Sequence, residues 1–311
     1  MAARPIKNVL VLGATGNTAP AIIQSLASHP AHFTVNATTR DKSKVTLPTG
    51  LHNVIIYETD YSPASLSSIF RNIDAIVSPL PAGLAERQRE LIDLAIEAGV
   101  QRFLPSEFGV DSNHPNIETV LPYINKKTQI IKYLKAKEDK ISWTSIIVGS
   151  YFDWTFANPR WMGWDVPNGK ATIFDGGDVE FEATNVPQIG RAIAAALSPE
   201  HVNETANQYV YINSFTLTQN KVLAVLEKVT GQKLEVKRTT VEQLYTENQE
   251  KLRESPDDGF ARMMLVQACL YGKGGVNNFS SYDDGRGLWN KRLGLPQEDL
   301  EESLSGILSR A

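Results

Sequence analysis

The sequence is short of several things, and each shortage excludes something. It contains one cysteine, Cys269, in 311 residues. No intrachain disulfide can form, and no Cys/His spacing of the zinc-binding kind occurs, so no metal site is expected. Cys269 lies in the apolar run Met263 to Leu270 and reads as a small core residue. No apolar run approaches the ~18 residues that a membrane span requires. Residues 1–30 show no secretory pattern, because the apolar run Val9–Leu12 is too short and a glycine turn follows it. The sequons at Asn203 and Asn278 therefore read as chance matches, and the expectation is a cytoplasmic chain without a membrane partner. There is no basic excess either. With 31 basic and 35 acidic side chains the formal net charge is −4, which weighs against nucleic acid as a partner. Neither an internal repeat nor a low-complexity tract is present.

What remains is an ordinary globular composition, 42% hydrophobic and 21% charged. The first half alternates strand and helix patterns. Strands are predicted over Asn8–Leu12, Thr34–Thr39, Val54–Tyr57, Ala75–Ser78, Arg102–Pro105 and Trp143–Val148. Helices are predicted between them over Pro20–Ser28, Ala64–Arg71, Glu86–Ala98 and Thr119–Lys137. Short apolar strands separated by helices imply a parallel sheet covered on both faces, the doubly wound α/β (Rossmann) class. After residue 150 the pattern becomes mixed, with strands at Ala171–Phe174 and Tyr209–Ile212 and helices at Ile189–Leu197 and Gln219–Thr230. The expected organisation is a nucleotide-binding domain over 1–150. A smaller α+β region over 151–311, interleaved with it, mainly binds substrate.

Gly13-Ala14-Thr15-Gly16-Asn17-Thr18-Ala19 follows the first strand and opens the first helix. The first glycine permits the tight turn and the second lets backbone approach a pyrophosphate. The third position, here Ala19, needs a small side chain. The helix N-terminus then offers free N–H groups to phosphate, so Gly13, Thr15, Gly16, Asn17 and Thr18 are cofactor-site candidates. Arg40, at the end of the second strand, suits the 2′-phosphate of NADPH, with Lys42 or Lys44 adding charge. Asp41 would favour NADH if it faced the ribose instead. Asp60 is placed either to bond the adenine or to shape a turn. Ser78, Pro79 and Leu80 end the fourth strand and would line the nicotinamide half, unless the prolines merely end the strand.

Chemistry in such sheets sits at the carboxyl ends of the strands. Strand five ends in Leu104-Pro-Ser106-Glu107-Phe108-Gly109, and Tyr123 and Lys127 follow four residues apart. On one helix they would share a face. A lysine ammonium there would lower the phenol pKa, and the pair could supply the proton that a hydride transfer to a carbonyl needs. Ser106 could donate to the substrate oxygen. Tyr123 can equally be a packing tyrosine. Lys126, Lys132, Lys135 and Lys137 read as a solvated face.

Taken together, Gly-Ala-Thr-Gly, Arg40, the octapeptide Arg102–Gly109 and a lysine opening the next helix resemble the isoflavone reductase-like group of the NmrA-like, atypical short-chain dehydrogenases. The resemblance covers roughly residues 6–240 and is nearest to fungal members. It implies a Rossmann domain with a smaller C-terminal substrate domain, NADPH as cofactor, and a small, often phenolic, substrate. It puts the family's single catalytic lysine on Lys127 and sets Phe152 near the nicotinamide. A tyrosine at position 123 is unusual for the group. From about Thr246 the likeness is poor, so the substrate class does not carry over.

The segment Tyr151–Trp164 is rich in aromatic residues and follows strand six. With Phe108, the residues Tyr151, Trp154, Trp161 and Trp164 are expected to line a pocket for a flat or apolar molecule, or to join the two lobes as core. Met263, Met264 and Tyr271 close that pocket or pack as core. The loop Gly272–Gly287 reads as flexible, a lid or a disordered stretch. The leading expectation is an NADPH-dependent reductase, as a monomer or homodimer. An NADP(H)-sensing regulator without turnover, and a non-reductive isomerase or dehydratase, stand as alternatives.

Overall fold

Leu10 and Leu12 point to one face of their strand and Val9 and Val11 to the other, and all four are fully buried. A strand apolar on both faces needs cover on both, and that requirement organises the chain. The computed structural model describes residues 4–157, 161–282 and 287–309. Its first part runs β1 (Asn8–Val11), α1 (Ala19–Ala27), β2 (Thr34–Thr39), β3 (Val54–Glu58), α2 (Pro63–Phe70), β4 (Ala75–Val77), α3 (Gln88–Glu97) and β5 (Arg102–Leu104). It continues through α4 (Ile117–Val120), α5 (Asn125–Lys135), β6 (Ser142–Ile147), β7 (Ser150–Tyr151) and α6 (Phe152–Ala157). Then come β8 (Trp164–Asp165), β9 (Lys170–Phe174), β10 (Phe181–Thr184), α7 (Val186–Ala196), β11 (Gln208–Tyr211) and β12 (Phe215–Leu217). The last elements are α8 (Gln219–Thr230), β13 (Glu235–Thr239), α9 (Val241–Glu254), α10 (Gly259–Leu270) and α11 (Leu300–Leu308).

Seven parallel strands form the central sheet in the order β11-β6-β5-β4-β1-β2-β3. Helices α1 and α7 cover the face of Val9 and Val11, while α2, α3 and α5 cover that of Leu10 and Leu12. The doubly wound class expected from the strand–helix alternation is therefore present. The chain leaves the sheet after β6 and returns to it at β11, so the sheet takes residues from both halves of the sequence. Two three-stranded sheets, β12-β10-β7 and β13-β9-β8, join α8–α11 around a separate apolar core. Fully buried aliphatic and aromatic side chains of this kind contribute about 1.5–3 kcal/mol each.

Two expectations fail. The helix expected over Thr119–Lys137 is broken at Pro122 into α4, a single 3₁₀ turn Pro122–Ile124, and α5. Proline lacks an N–H and pushes the residue before it out of the helical region, and Leu121 is found at φ −138°, ψ 68°. The loop after Gly272 is not loose over its described part. Val276 and Phe279 are fully buried, the latter against Ile147 and Tyr211. Ser280 N–H donates to Glu182 Oε1 at 2.9 Å, and Tyr282 Oη to Asp111 Oδ2 at 3.1 Å. Residues 283–286 of that expected lid lie outside the described residues.

Candidate active site

The glycine turn leaves β1 with Gly13 at φ +88°, a region that side chains avoid. Gly13 N–H donates to Thr38 Oγ1 at 3.1 Å and Ala14 N–H to Thr38 O at 2.7 Å, which fastens the turn to β2. Thr18 caps α1 without a side-chain bond. Among the described residues the N–H groups of Thr15, Asn17 and Thr18 meet no acceptor. Ala19, the third small position, is fully buried. The strand-four end closes on this turn: a Cβ built on Gly16 would sit 3.9 Å from Pro79 O. Ser78 is fully buried and its hydroxyl has no partner among the described residues. An open row of backbone donors at the N-terminus of a helix fits a pyrophosphate.

At the end of β2, Asp41 is occupied locally. Its Oδ1 accepts from Ser43 N–H at 3.0 Å and Ser43 Oγ at 2.6 Å, and these bonds hold its carboxyl below the usual range. Lys44 lies 3.5 Å from its other oxygen in an exposed pair. Arg40 is exposed and makes no hydrogen bond or ion pair among the described residues. A carboxylate spent on a turn beside an uncommitted guanidinium fits a 2′-phosphate better than a bare ribose. Asp60 takes the turn reading as well: its Oδ1 accepts Ser62 N–H at 2.9 Å just before α2.

Strand five ends in a buried, heavily tied loop. Arg102 donates to Ser142 Oγ (2.7 Å), Thr144 Oγ1 (2.8 Å) and Val202 O (2.7 Å), so it serves the packing of β5 against β6. Gly109 O accepts the N–H groups of Val148 (3.2 Å) and Gly149 (2.9 Å). Tyr151 Oη donates to Phe108 O at 2.8 Å. In the first turn of α5, Lys127 reaches back and donates from Nζ to Glu107 O at 3.0 Å. Burial pushes its pKa below that of a free lysine, and the nearby Glu107 carboxyl only partly opposes this. The neighbouring lysines are surface groups: Lys126 pairs with Glu86, Lys132 with Glu118 and Lys137 with Asp93.

The dyad expected of Tyr123 and Lys127 does not form. Tyr123 sits in the 3₁₀ turn, not in α5, and its phenol donates to Arg262 O on α10. Burial raises its pKa, opposite to the direction an activated tyrosine needs. Ser106 also differs from expectation. Its hydroxyl donates to Leu80 O at 2.6 Å and its N–H to Gln88 Oε1 at 2.8 Å, so its proton ties strand five to strand four.

Beside this loop lies a cavity of about 270 Å³ lined mainly by apolar groups. Phe108, Tyr151, Trp154 and Trp161 line it, and Asn17 of the glycine turn forms part of its wall. Phe152 and Trp164 do not reach it. Phe152 packs 5.1 Å from Phe156 and 5.0 Å from Phe215, and Trp164 lies 6.1 Å from Phe156, so both belong to the second core. Helix α10 supplies a wall that was only partly anticipated: Met263, Val266 and Leu270, at helical spacing, face the cavity. Met264 and Tyr271 instead are core. Cys269 is core too, fully buried, with its thiol pushed up by burial. Among the described residues no group of three or more His, Cys, Asp or Glu could hold a metal ion, and no helix is long and apolar enough to cross a membrane.

Comparison with known proteins accounts for the arrangement. The model of the NmrA-like family matches residues 5–267. An Aspergillus flavus protein, oxidoreductase aprR, is 32% identical over 96% of this chain and 98% of its own length. The isoflavone reductase of Medicago sativa is 26% identical over 83% of this chain and 84% of its own. Among solved structures, the complex of leucoanthocyanidin reductase with NADPH from Vitis vinifera superposes with a TM-score of 0.78 over 97% of this chain and 99% of that one, at 22% identity. The family match takes in the glycine turn, the strand-five loop and most of the cavity wall, and the chain belongs to the NmrA-like family.

Proposed function

We propose that this chain is an NADPH-dependent oxidoreductase that reduces a small apolar or aromatic molecule, with Lys127 as general acid/base. One observation carries this reading: the half-buried Lys127 ammonium is held on Glu107 O, the residue before Phe108 and Gly109 in the cavity wall. Asn17 in the same wall belongs to the glycine turn. The relative aprR, named an oxidoreductase, and the NADPH complex of a similarly folded reductase support it. Bound NADPH would supply the hydride. The N–H groups of Thr15, Asn17 and Thr18 would hold the pyrophosphate, and Arg40 the 2′-phosphate, with Lys42 adding charge. The aromatic wall orients the substrate and excludes water. Lys127 gives a proton to the oxygen on which negative charge develops.

The test is NADPH consumption across a panel of small aromatic and apolar carbonyl, ether and enone compounds. Substrate-dependent loss of NADPH absorbance supports the reading. Tight NADPH binding with no turnover across the panel would favour a redox-sensing regulator, and product formation without NADPH loss an isomerase or dehydratase. In the same assay Arg40→Ala should weaken NADPH binding and leave NADH binding unchanged. A hydrogen bond to a charged group contributes about 1.5–3 kcal/mol, so the expected loss is roughly 10- to 150-fold. Equal loss for both cofactors, measured by titration calorimetry, would show that Arg40 does not read the 2′-phosphate.

A further inference from the structure

We propose that helix α10 decides which molecules the apolar cavity accepts: Met263 sets its width, and Gln267, acting through Met162, sets Trp161 in its wall. The ligand that fits is an uncharged molecule of one aromatic ring or a fused pair. The proposal rests on the reading above for what happens to that molecule, but not for its binding.

One face of α10 forms part of the wall. Met263, Val266 and Leu270 recur at helical spacing and all line the cavity. Met263 is half-buried, whereas Leu270 is buried. An unbranched thioether side chain follows the shape of what it touches, so Met263 is the adjustable member of this row. The helix is fixed close to it: the Tyr123 phenol donates to Arg262 O, one residue before Met263.

The same helix holds the turn that carries Trp161. The buried Gln267 accepts the Met162 N–H at Oε1, at 3.1 Å, and the buried Tyr271 phenol donates to Met162 O. Met162 lies at φ 56°, ψ 22°, in the left-handed region that residues with a side chain rarely adopt. Such a conformation persists only where the surroundings impose it. Here Gln267 and Tyr271 occupy both backbone polar groups of Met162. Trp161 is the preceding residue. Its ring stands 5.9 Å from that of Trp154 at 74°, and both rings line the cavity. Helix α10 thus supplies one stretch of wall and fixes the aromatic part of another.

The wall sets size and charge. An apolar cavity of about 150 Å³ takes a benzene-sized molecule, so one of about 270 Å³ suits a substituted ring or two fused rings better than two rings joined end to end. No residue lining it carries a charge. The Tyr151 phenol is spent on Phe108 O, and Ser150 Oγ lies 3.4 Å from Thr155 Oγ1. A carboxylate buried against these groups would give up its hydration without gaining a cation from the wall.

The test sets matched compounds against the NADPH-loaded protein: acetophenone, acetonaphthalene and acetylbiphenyl for width, and acetylbenzoate with its methyl ester for charge. Titration calorimetry reads binding without any need for turnover, and NADPH loss reads kcat/KM. In the wild type, acetophenone and acetonaphthalene should bind roughly 10-fold or more tighter than acetylbiphenyl, and the ester tighter than the acid by a similar factor. Met263→Ala should shift the ratio of acetylbiphenyl to acetophenone by roughly 10- to 100-fold toward the larger compound, the range that small changes in an apolar pocket produce. Gln267→Met keeps nearly the same volume and removes the acceptor. It should shift that ratio in the same direction and leave NADPH binding unchanged, while Gln267→Glu, which retains an acceptor oxygen, should restore part of it. A ratio does not depend on how much of the protein is folded, so a merely structural loss would lower both compounds together. An unchanged ratio in Met263→Ala overturns its part, and an unchanged ratio in Gln267→Met overturns the link through Met162. Acetylbiphenyl binding as tightly as acetophenone, the acid binding as tightly as its ester, or no binding by any of these compounds would overturn the assignment of the ligand. If the compounds bind with the expected ratios and none consumes NADPH, the reductase reading fails and the role of α10 stands. If they turn over with ratios that neither variant changes, the role of α10 fails alone.

Discussion

Lys127→Ala should lower kcat by about 10²–10⁴-fold, the range a positioned general acid/base contributes, while NADPH binding stays within about twofold of wild type. The variant removes the lysine whose ammonium sits on Glu107 O, one residue before Phe108 and Gly109 of the cavity wall. Truncation leaves Glu107 O without its donor, so thermal unfolding should be measured alongside. A fall in kcat that tracks a loss of folded protein would speak against a catalytic role. The pH dependence has a definite sign. Burial holds the Lys127 pKa below the free-lysine value, and the reduction needs the ammonium form. The rate should therefore be flat at low pH and fall as pH rises through that depressed value. A kcat profile that stays level up to the ordinary lysine range would exclude Lys127 as the acid. Lys127→Arg should not rescue, since a guanidinium does not give up its proton in this range.

Gly149→Ala should be strongly destabilising for a change of one methyl group. Gly149 has φ +67°, which costs a side-chain residue about 1–2 kcal/mol. An added Cβ would stand 2.3 Å from Glu182 O and 2.9 Å from Asn277 Oδ1. Glu182 O belongs to the backbone of β10, which pairs with both β7 and β12, so it cannot turn aside as a flexible side chain would. Overpacking of this kind adds about 1–3 kcal/mol. The expected total is roughly 2–5 kcal/mol, read as a fall in midpoint during thermal or denaturant unfolding. Gly149 also borders the apolar cavity, so whatever folded protein remains should bind substrate more weakly than cofactor. An unchanged midpoint would show that the link between β6 and β7 can move away from β10 without loss.

The parts of the molecule that were legible from the chain are those that local chemistry decides. Buried parallel strands need apolar residues on both faces, and Asn8–Val11 and Ala75–Val77 carry them within a single short run. The glycine turn is equally local, because Gly13 must take a positive φ between a strand and a helix. Pro122 was visible too, yet the regular apolar spacing around it suggested an unbroken helix. The backbone restriction at proline decided against that, and with it against a shared face for Tyr123 and Lys127.

Long-range contacts made the remaining decisions. Six aromatic residues between Tyr151 and Trp164 look alike in the sequence, but Trp154 and Trp161 meet the cavity while Phe152 and Trp164 meet the second core. The Gly/Asn/Ser-rich stretch after Gly272 looks mobile by composition, yet Phe279 finds a place between Ile147 and Tyr211. The sequence by itself determined the Rossmann class and the position of the glycine turn, since both follow from residues close together in the chain, and a single cysteine excludes an intrachain disulfide. Only the tertiary structure decided which buried groups are partners. The Tyr123 phenol meets a carbonyl 139 residues away, and Lys127 meets the backbone of Glu107, because side-chain pairing depends on how whole elements pack and not on spacing along one of them.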